Sequence, residues 1–425
     1  MPNSQKIRHS LSSAQSGMWF AQQLDPLNPI YNTGEYIEIN GNINHEIFEL
    51  AVRKVVKEAE ALHVRFEEDE IGPWQVIEES STFHMHFIDV RKEENPEEAA
   101  KVWMKNDLSV PIDLKEDKLF TEALIQVENN RFFWYQRIHH IVMDGYGFSL
   151  LSQKVANEYT SLIEETNKNE KPFGFLAKIV QEDNEYRESK QFQEDRTFWL
   201  EKFADEPEVI SLAERAPRTS NGFLRETAYL SNASTKTLLE DINISLTSWP
   251  EFVVAVTSIY MHKLTGANDI VLGLPMMGRL GSVSIHTPSM VMNLVPLRLK
   301  LTPNITFAEL IQQVSKEIRD VRRHHKYRHE ELRRDLKLLG ENQRLFGPLV
   351  NVMPFDYGLN FAGNRGITHN LSAGPVDDLS INVYKRFDEN ELMIHFDANP
   401  EVYNGAELAL HKERFMSLLE LVINN

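Results

Sequence analysis

Apolar residues recur at helical spacing over Ile47, Leu50, Val52, Val55, Val56 and Ala59, which predicts an amphipathic helix that buries one face. Phe132 to Ile138 has another pattern. There Phe132, Phe133, Trp134 and Tyr135 run into Gln136, Arg137 and Ile138, a short aromatic-rich stretch that predicts a strand buried on both faces. A helical segment follows from about Phe148 to Glu165, and the polar stretch Thr166 to Pro172 reads as a surface connection. Further on, Ser248-Trp249-Pro250-Glu251 has capping-box spacing, and the apolar pattern from Val253 to Leu264 stops at Gly266. Asp269 to Leu274 predicts a buried strand. A second capping box, Thr306-Phe307-Ala308-Glu309, opens a helix striped by Phe307, Leu310, Ile311, Val314, Ile318 and Val321. Leu379 to Phe396 alternates about Asp388-Glu389-Asn390 as a hairpin does, and Ala406 to Val422 predicts a closing helix. The fold class is therefore mixed α/β.

Length turns this pattern into two bodies. A chain of 425 residues exceeds the roughly 250 to 300 residues at which a single core stops growing. The break is placed at the polar connection, giving residues 1–170 and 171–425. With 42% hydrophobic and 25% charged residues the chain has a globular composition. Its longest apolar candidate, Phe252 to Met261, is about half the length of a membrane span. The start shows no apolar run of a secretion signal, so a cytoplasmic location without membrane contact is expected. A net charge of -18 repels phosphate backbones and argues against nucleic acid as a partner. The absence of cysteine removes thiolate nucleophiles, disulfides and cysteine-based metal sites.

Candidate chemistry lies where the aromatic strand ends, at His139-His140-Ile141-Val142-Met143-Asp144-Gly145. A strand end fixes the backbone while the turn presents a side chain. Adjacent strand residues point to opposite faces, so one of the two histidines faces any given cleft. An imidazole accepts a proton near neutral pH, and a carboxylate four or five residues on orients it or anchors the turn. A core histidine pair beside a turn-forming Asp-Gly remains open as the structural alternative. His325 and His329 have the i, i+4 spacing of metal ligands, but Arg322, Arg323, Lys326 and Arg328 crowd that segment, and no metal site is assigned.

The His139 to Gly145 segment resembles the His-His-x-x-x-Asp-Gly motif of the condensation-domain family of non-ribosomal peptide synthetases. Leu11 to Phe20 resembles that family's first motif and Glu60 to Phe66 its second. Glu185-Tyr186 with Asp195 to Trp199, then Gly273 to Arg279 with Met292 to Arg298, and His324 to Leu332 resemble later motifs in the same order. The resemblance implies two chloramphenicol-acetyltransferase-like lobes in a V-shaped pseudo-dimer with a central tunnel. It implies amide formation by attack of a carrier-bound amine on a carrier-bound thioester, an acyltransferase-type reaction. By matching position His140 faces the tunnel and, with the Gly145 N–H, acts on the reactants. His139, Asp144 and Arg279 support the site, Arg279 reaching Asp144 from the other lobe, and Asn351 and Ser149 are assigned to the tunnel lining.

No cofactor is implied on the domain itself, since the substrates ride on phosphopantetheine arms. Tyr146-Gly147-Phe148-Ser149, Arg328 to Leu336, Asn351 to Gly358 and Ile30 to Ile39 are similar to catechol-siderophore synthetases of the bacillibactin type. That implies a 2,3-dihydroxybenzoyl donor and a glycyl acceptor. The motifs begin within about ten residues of the chain start, so the donor is expected in trans on an aryl carrier protein. The acceptor is expected on a downstream peptidyl carrier domain, with an adenylation domain adjoining. Glu58-Ala59 and His63-Val64 depart from the family's second motif. A lipid-loading starter domain and a non-catalytic carrier-docking platform are the alternatives; an epimerization domain fits the first motif less well, and a cyclization domain would carry aspartates in place of the histidines.

Overall fold

The computed structural model describes residues 7–78, 83–166, 171–213, 215, 220–245, 248–338, 340, 343–353, 358–386 and 391–424. The chain divides into two compact units. The first comprises Met1–Glu188, Arg279–Met292 and Tyr357–Gly374; the second comprises Ser189–Gly278, Asn293–Asp356 and Pro375–Asn425. This differs from the single break expected after residue 170. The helix Leu176–Arg187 buries Leu176 and Ile179 in the first unit's core, so the polar connection lies inside that unit. Two segments from late in the chain also return to it, which no linear pattern announces. Residues 167–170 of the predicted connection lie outside the described residues.

The first unit is built on a six-stranded sheet. Its order is Asn360–Phe361, Asn364–Ser372, Asn32–Asn40, Arg131–His139, Phe120–Glu128 and His86–Asp89. The aromatic strand thus lies in the interior of the sheet, paired antiparallel on both sides, and every residue from Phe132 to His139 is buried. A strand with no solvent face has no reason to alternate, which explains its unbroken run of large side chains. The predicted amphipathic helix forms as His45–Glu58, capped by the Asn44 side chain, and buries Phe48, Ala51, Val52, Val55 and Val56. Phe48 packs edge-on to Trp134, with ring centroids 5.3 Å apart, and also meets Tyr159 and Phe361. A smaller sheet orders Ile7–Ser10, Gly72–Ile77 and Val64–Asp69.

The second unit carries its own six-stranded sheet, ordered Asn293–Lys300, Asp269–Met276, Leu349–Met353, Leu379–Arg386, Glu391–Ala398 and Leu224–Leu230. Its core includes Trp199, Leu272, Ile381, Phe396 and Phe415. Both predicted capping boxes form. The Glu309 carboxylate accepts from the Thr306 N–H at 2.8 Å, and the Glu251 carboxylate from the Ser248 N–H at 3.0 Å. The second of these helices, Trp249–Thr265, ends at Gly266 with φ 73°, a left-handed cap. Leu310, Val314, Ile318 and Val321 are the buried stripe of Phe307–Arg323. Leu379–Arg386 and Glu391–Ala398 pair antiparallel as predicted, while the turn at Asp388 to Asn390 lies outside the described residues. The closing helix is Gly405–Ile423. Among the described residues no helix is long and apolar enough to cross a membrane.

Candidate active site

The strand Arg131–His139 ends where its partner Asn32–Asn40 begins, with His139 opposite Asn32. The chain then turns through His140 to Asp144 and enters the helix Gly145–Ile163. Asp144 terminates the turn because it is the helix N-cap: its Oδ1 accepts from the Gly147 N–H at 2.9 Å. Gly145 opens the helix and is half-buried, so the helix starts earlier than the apolar pattern from Phe148 suggests.

The two histidines diverge, as strand alternation requires. His139 is buried, with its Nε2 3.2 Å from Gln22 Oε1, and its Nδ1 accepts from the Ile141 N–H at 3.3 Å. Those contacts fix a neutral tautomer with the proton on Nε2. Burial pushes its pKa down to about 3, and the neighbouring His140 and Arg137 add to the depression. His139 is a clamp between the strand end and the helix Ser13–Leu24, which supplies Gln22.

His140 is also buried. Its Nδ1 lies 2.8 Å from the Met143 carbonyl oxygen, which makes Nδ1 the protonated nitrogen and leaves the Nε2 lone pair available. Nε2 makes no hydrogen bond to a described residue. Burial holds the imidazole below its ordinary pKa, although the Met143 carbonyl and the Asp144 carboxylate pull the other way. A neutral ring with an open acceptor nitrogen can take a hydrogen bond or a proton from an amine.

Asp144 and Arg279 meet, but Arg279 belongs to the same compact unit rather than to a second lobe. The Arg279 Nη2 donates to Asp144 Oδ1 at 2.8 Å and to Oδ2 at 2.9 Å. Backbone N–H groups of Val291 and Met292 donate to Oδ2 at 3.0 and 3.1 Å. Arg279 is completely buried; it also donates to the carbonyls of Ser284, Thr287 and Ser289, and its guanidinium lies over the Tyr146 ring, 5.0 Å from the centroid. The carboxylate therefore ties the segment Arg279–Met292 to the turn. Gly147 makes this closeness possible, since a Cβ there would lie 2.3 Å from Met143 Sδ and 3.2 Å from the Ser289 backbone nitrogen. That accounts for the glycine in Tyr146-Gly147-Phe148-Ser149.

The remaining expected residues are less engaged. The Ser149 hydroxyl donates to the Tyr146 carbonyl at 2.7 Å, and the residue is half-buried. Asn351 lies in the second unit, where its Nδ2 donates to Asn382 Oδ1 at 3.2 Å. The first two motifs are scaffold: Ser12 and Gln15 cap the helix Ser13–Leu24, and the Glu60 carboxylate accepts from the Leu176 N–H at 2.7 Å. At the departures from the second motif, Glu58 pairs with Lys154, and His63 Nε2 meets the Val56 carbonyl at 2.8 Å. In the second unit His324 faces Asp195, His325 faces the Arg322 carbonyl, and His329 is half-buried with its ring tilted against Phe346, so the three do not converge. Among the described residues no cluster of His, Asp or Glu is placed to hold a metal.

Sequence reasoning did not reach Gly374, which lies beside His140. Gly374 has φ 98°, and a Cβ on it would stand 3.0 Å from His140 Cδ2. The only linear signal is the turn-forming run Ser372-Ala373-Gly374-Pro375.

A family model for the condensation domain matches residues 6–425. The chain is 59% identical over 420 residues, 99% of its length, to the dimodular nonribosomal peptide synthase of Bacillus subtilis (strain 168), of which it covers 18%. It is 30% identical over 415 residues, 96% of its length, to enterobactin synthase component F of Escherichia coli (strain K12), of which it covers 32%. The chain thus spans well under half of these curated relatives. A variant of the starter condensation domain of rhizomide synthetase RzmA, solved with C8-CoA and Leu-SNAC, superposes with TM-score 0.92 at 36% identity, covering 98% of this chain and 95% of that one. The first condensation domain of the calcium-dependent antibiotic synthetase gives TM-score 0.92 at 33% identity, covering 99% and 97%.

Proposed function

Since the chain belongs to the condensation-domain family, whose members catalyse amide-bond formation between carrier-bound substrates, we propose that His140 serves the attack of a glycyl amine on a 2,3-dihydroxybenzoyl thioester. In that reaction the amine nitrogen bonds to the thioester carbonyl carbon, the carbon–sulfur bond breaks, and the carrier thiol leaves with the proton that the amine gives up. A thioester is already activated, so the protein's main contribution is to hold the amine against the carbonyl. His140 Nε2 accepts from that amine, and the Gly145 N–H at the helix start donates to the developing oxyanion. His139, Asp144 and Arg279 hold the turn.

The single observation that carries this reading is the split between the two rings: among the described residues His139 is bonded through both nitrogens, whereas His140 is bonded through Nδ1 alone. The aryl donor and glycyl acceptor rest on the motif resemblances and on similarity to enterobactin synthase component F. The partners in this reading are an aryl carrier protein, a peptidyl carrier domain and an adjoining adenylation domain. A fatty-acyl donor is the second reading, favoured by the likeness to a starter condensation domain solved with C8-CoA. Mixing the protein with dihydroxybenzoyl- and octanoyl-loaded carriers and a glycyl carrier, then weighing the intact carriers, separates them. His140→Ala is expected to slow the transfer about 10²- to 10⁴-fold. Equal rates in the two proteins contradict the assigned role.

A further inference from the structure

Three strand ends converge on the His140 ring. The strand Asn364–Ser372 pairs antiparallel with Asn32–Asn40, with a register shift, a bulge, between Asn370 and Ser372. Such a bulge bends the strand and re-aims the residues after it. Ser372 lies opposite Gly34, so the next residues run alongside Thr33 and Asn32 toward the end of the histidine strand. Thr33 is itself tied to that strand, its hydroxyl donating to the Ile138 carbonyl at 2.7 Å. Gly374 then meets the imidazole: a Cβ there would stand 3.0 Å from Cδ2, 3.6 Å from Nε2 and 3.8 Å from the Thr33 methyl. Its φ of 98° also lies where side-chain-bearing residues are strained.

The ring is thus bounded at both edges. The Met143 carbonyl takes the Nδ1 proton on one side, and on the other Gly374 leaves no room for a side chain against the Cδ2–Nε2 edge. We infer that Gly374 is a positioning residue for the transfer reaction, fixing the direction in which the His140 Nε2 lone pair is presented to the amine. A methyl at 374 pushes the ring aside or covers Nε2, and its three nearest atoms would belong to His140 and Thr33, not to Asp144 or Arg279. The inference rests on the role proposed for His140.

A double-mutant cycle tests it, with the transfer rate measured on whichever donor and acceptor pair the wild-type protein turns over. Gly374→Ala is expected to lower the rate about 10- to 100-fold, the scale of a ~1 Å misplacement. In a His140→Ala background the same change is expected to alter the rate by less than about twofold. Carbethoxylation of His140 by diethyl pyrocarbonate, followed by mass spectrometry on the folded protein, should slow in Gly374→Ala, a readout independent of substrate. If the alanine variant does not fold, Gly374→Asn, whose side chain tolerates positive φ better, carries the same comparison. Equal losses in both backgrounds, or unchanged rate and labelling in Gly374→Ala, overturn the inference. An inert His140→Ala effect instead overturns the role of His140 itself.

Discussion

Two buried residues of the first unit titrate with opposite consequences for stability. His139 has its folded pKa held down at about 3 by burial, against about 6.5 when free. The unfolded chain therefore takes up the proton first as pH falls. The stability tied to His139 is complete above about 6.5 and is lost as pH falls from there toward about 3, with a slope of up to ~1.4 kcal/mol per pH unit. Glu122 runs the other way. Burial raises its carboxyl from 4.5 to about 8, even though the Trp134 indole N–H donates to it at 2.8 Å. Its contribution is complete below about 4.5 and is lost as pH rises through about 8. Urea midpoints measured from about pH 4 to about pH 9 should show His139→Gln flattening the acid limb and Glu122→Gln flattening the alkaline one. Unaltered limbs in both variants contradict the burial argument. At this scale the sequence separated the histidines only in principle: alternation required different faces, but neither Gln22 nor the Met143 carbonyl can be found by spacing.

Elements were legible where the pattern was local. The helices His45–Glu58, Trp249–Thr265 and Phe307–Arg323 carry their own apolar stripes or capping boxes, and the strand Arg131–His139 carries its own aromatic run. Helices such as Ser13–Leu24, Pro96–Leu108 and Lys190–Lys202 were not singled out, and few of their residues are buried: Ala100 and Met104 in one, Asp195 and Trp199 in another. Short buried stripes leave little periodicity to read. The start of Gly145–Ile163 was missed because its first turn is anchored by Asp144 and packed through glycine rather than through apolar side chains. That packing makes a prediction. Gly147→Ala forces a methyl against Met143 and the Ser289 backbone, and thermal melting should show a loss of about 1 to 3 kcal/mol. Combined with Met143→Ala, the loss should be smaller than the sum of the two single losses. An undisturbed melting temperature in Gly147→Ala contradicts the close approach.

At the scale of the molecule, length announced two bodies, and the ordered motifs announced the family. The assignment of segments to the units was not legible, because Arg279–Met292 and Tyr357–Gly374 join the first unit from far along the chain. Those segments bring Arg279 and Gly374 to the His139–Gly145 turn. Arg279 was reached through the resemblance, and Gly374 was not reached at all. The Asp144–Arg279 pair explains why the late segment stays where it is. Both groups are buried, so removing either partner leaves an uncompensated charge. Asp144→Ala should therefore cost about 3 to 5 kcal/mol in denaturant unfolding, whereas a loss below about 1 kcal/mol, typical of an exposed pair, contradicts its structural role.

The central claim is that the protein joins an acyl group to an amine at His140. It is tested most directly by intact-carrier mass spectrometry after mixing the protein with a dihydroxybenzoyl-loaded carrier and a glycyl-loaded carrier. The account predicts that the glycyl carrier gains the mass of the dihydroxybenzoyl group with the wild-type protein and gains little in the same time with His140→Ala. Absence of transfer from both dihydroxybenzoyl and octanoyl donors, or equal transfer by the two proteins, contradicts it.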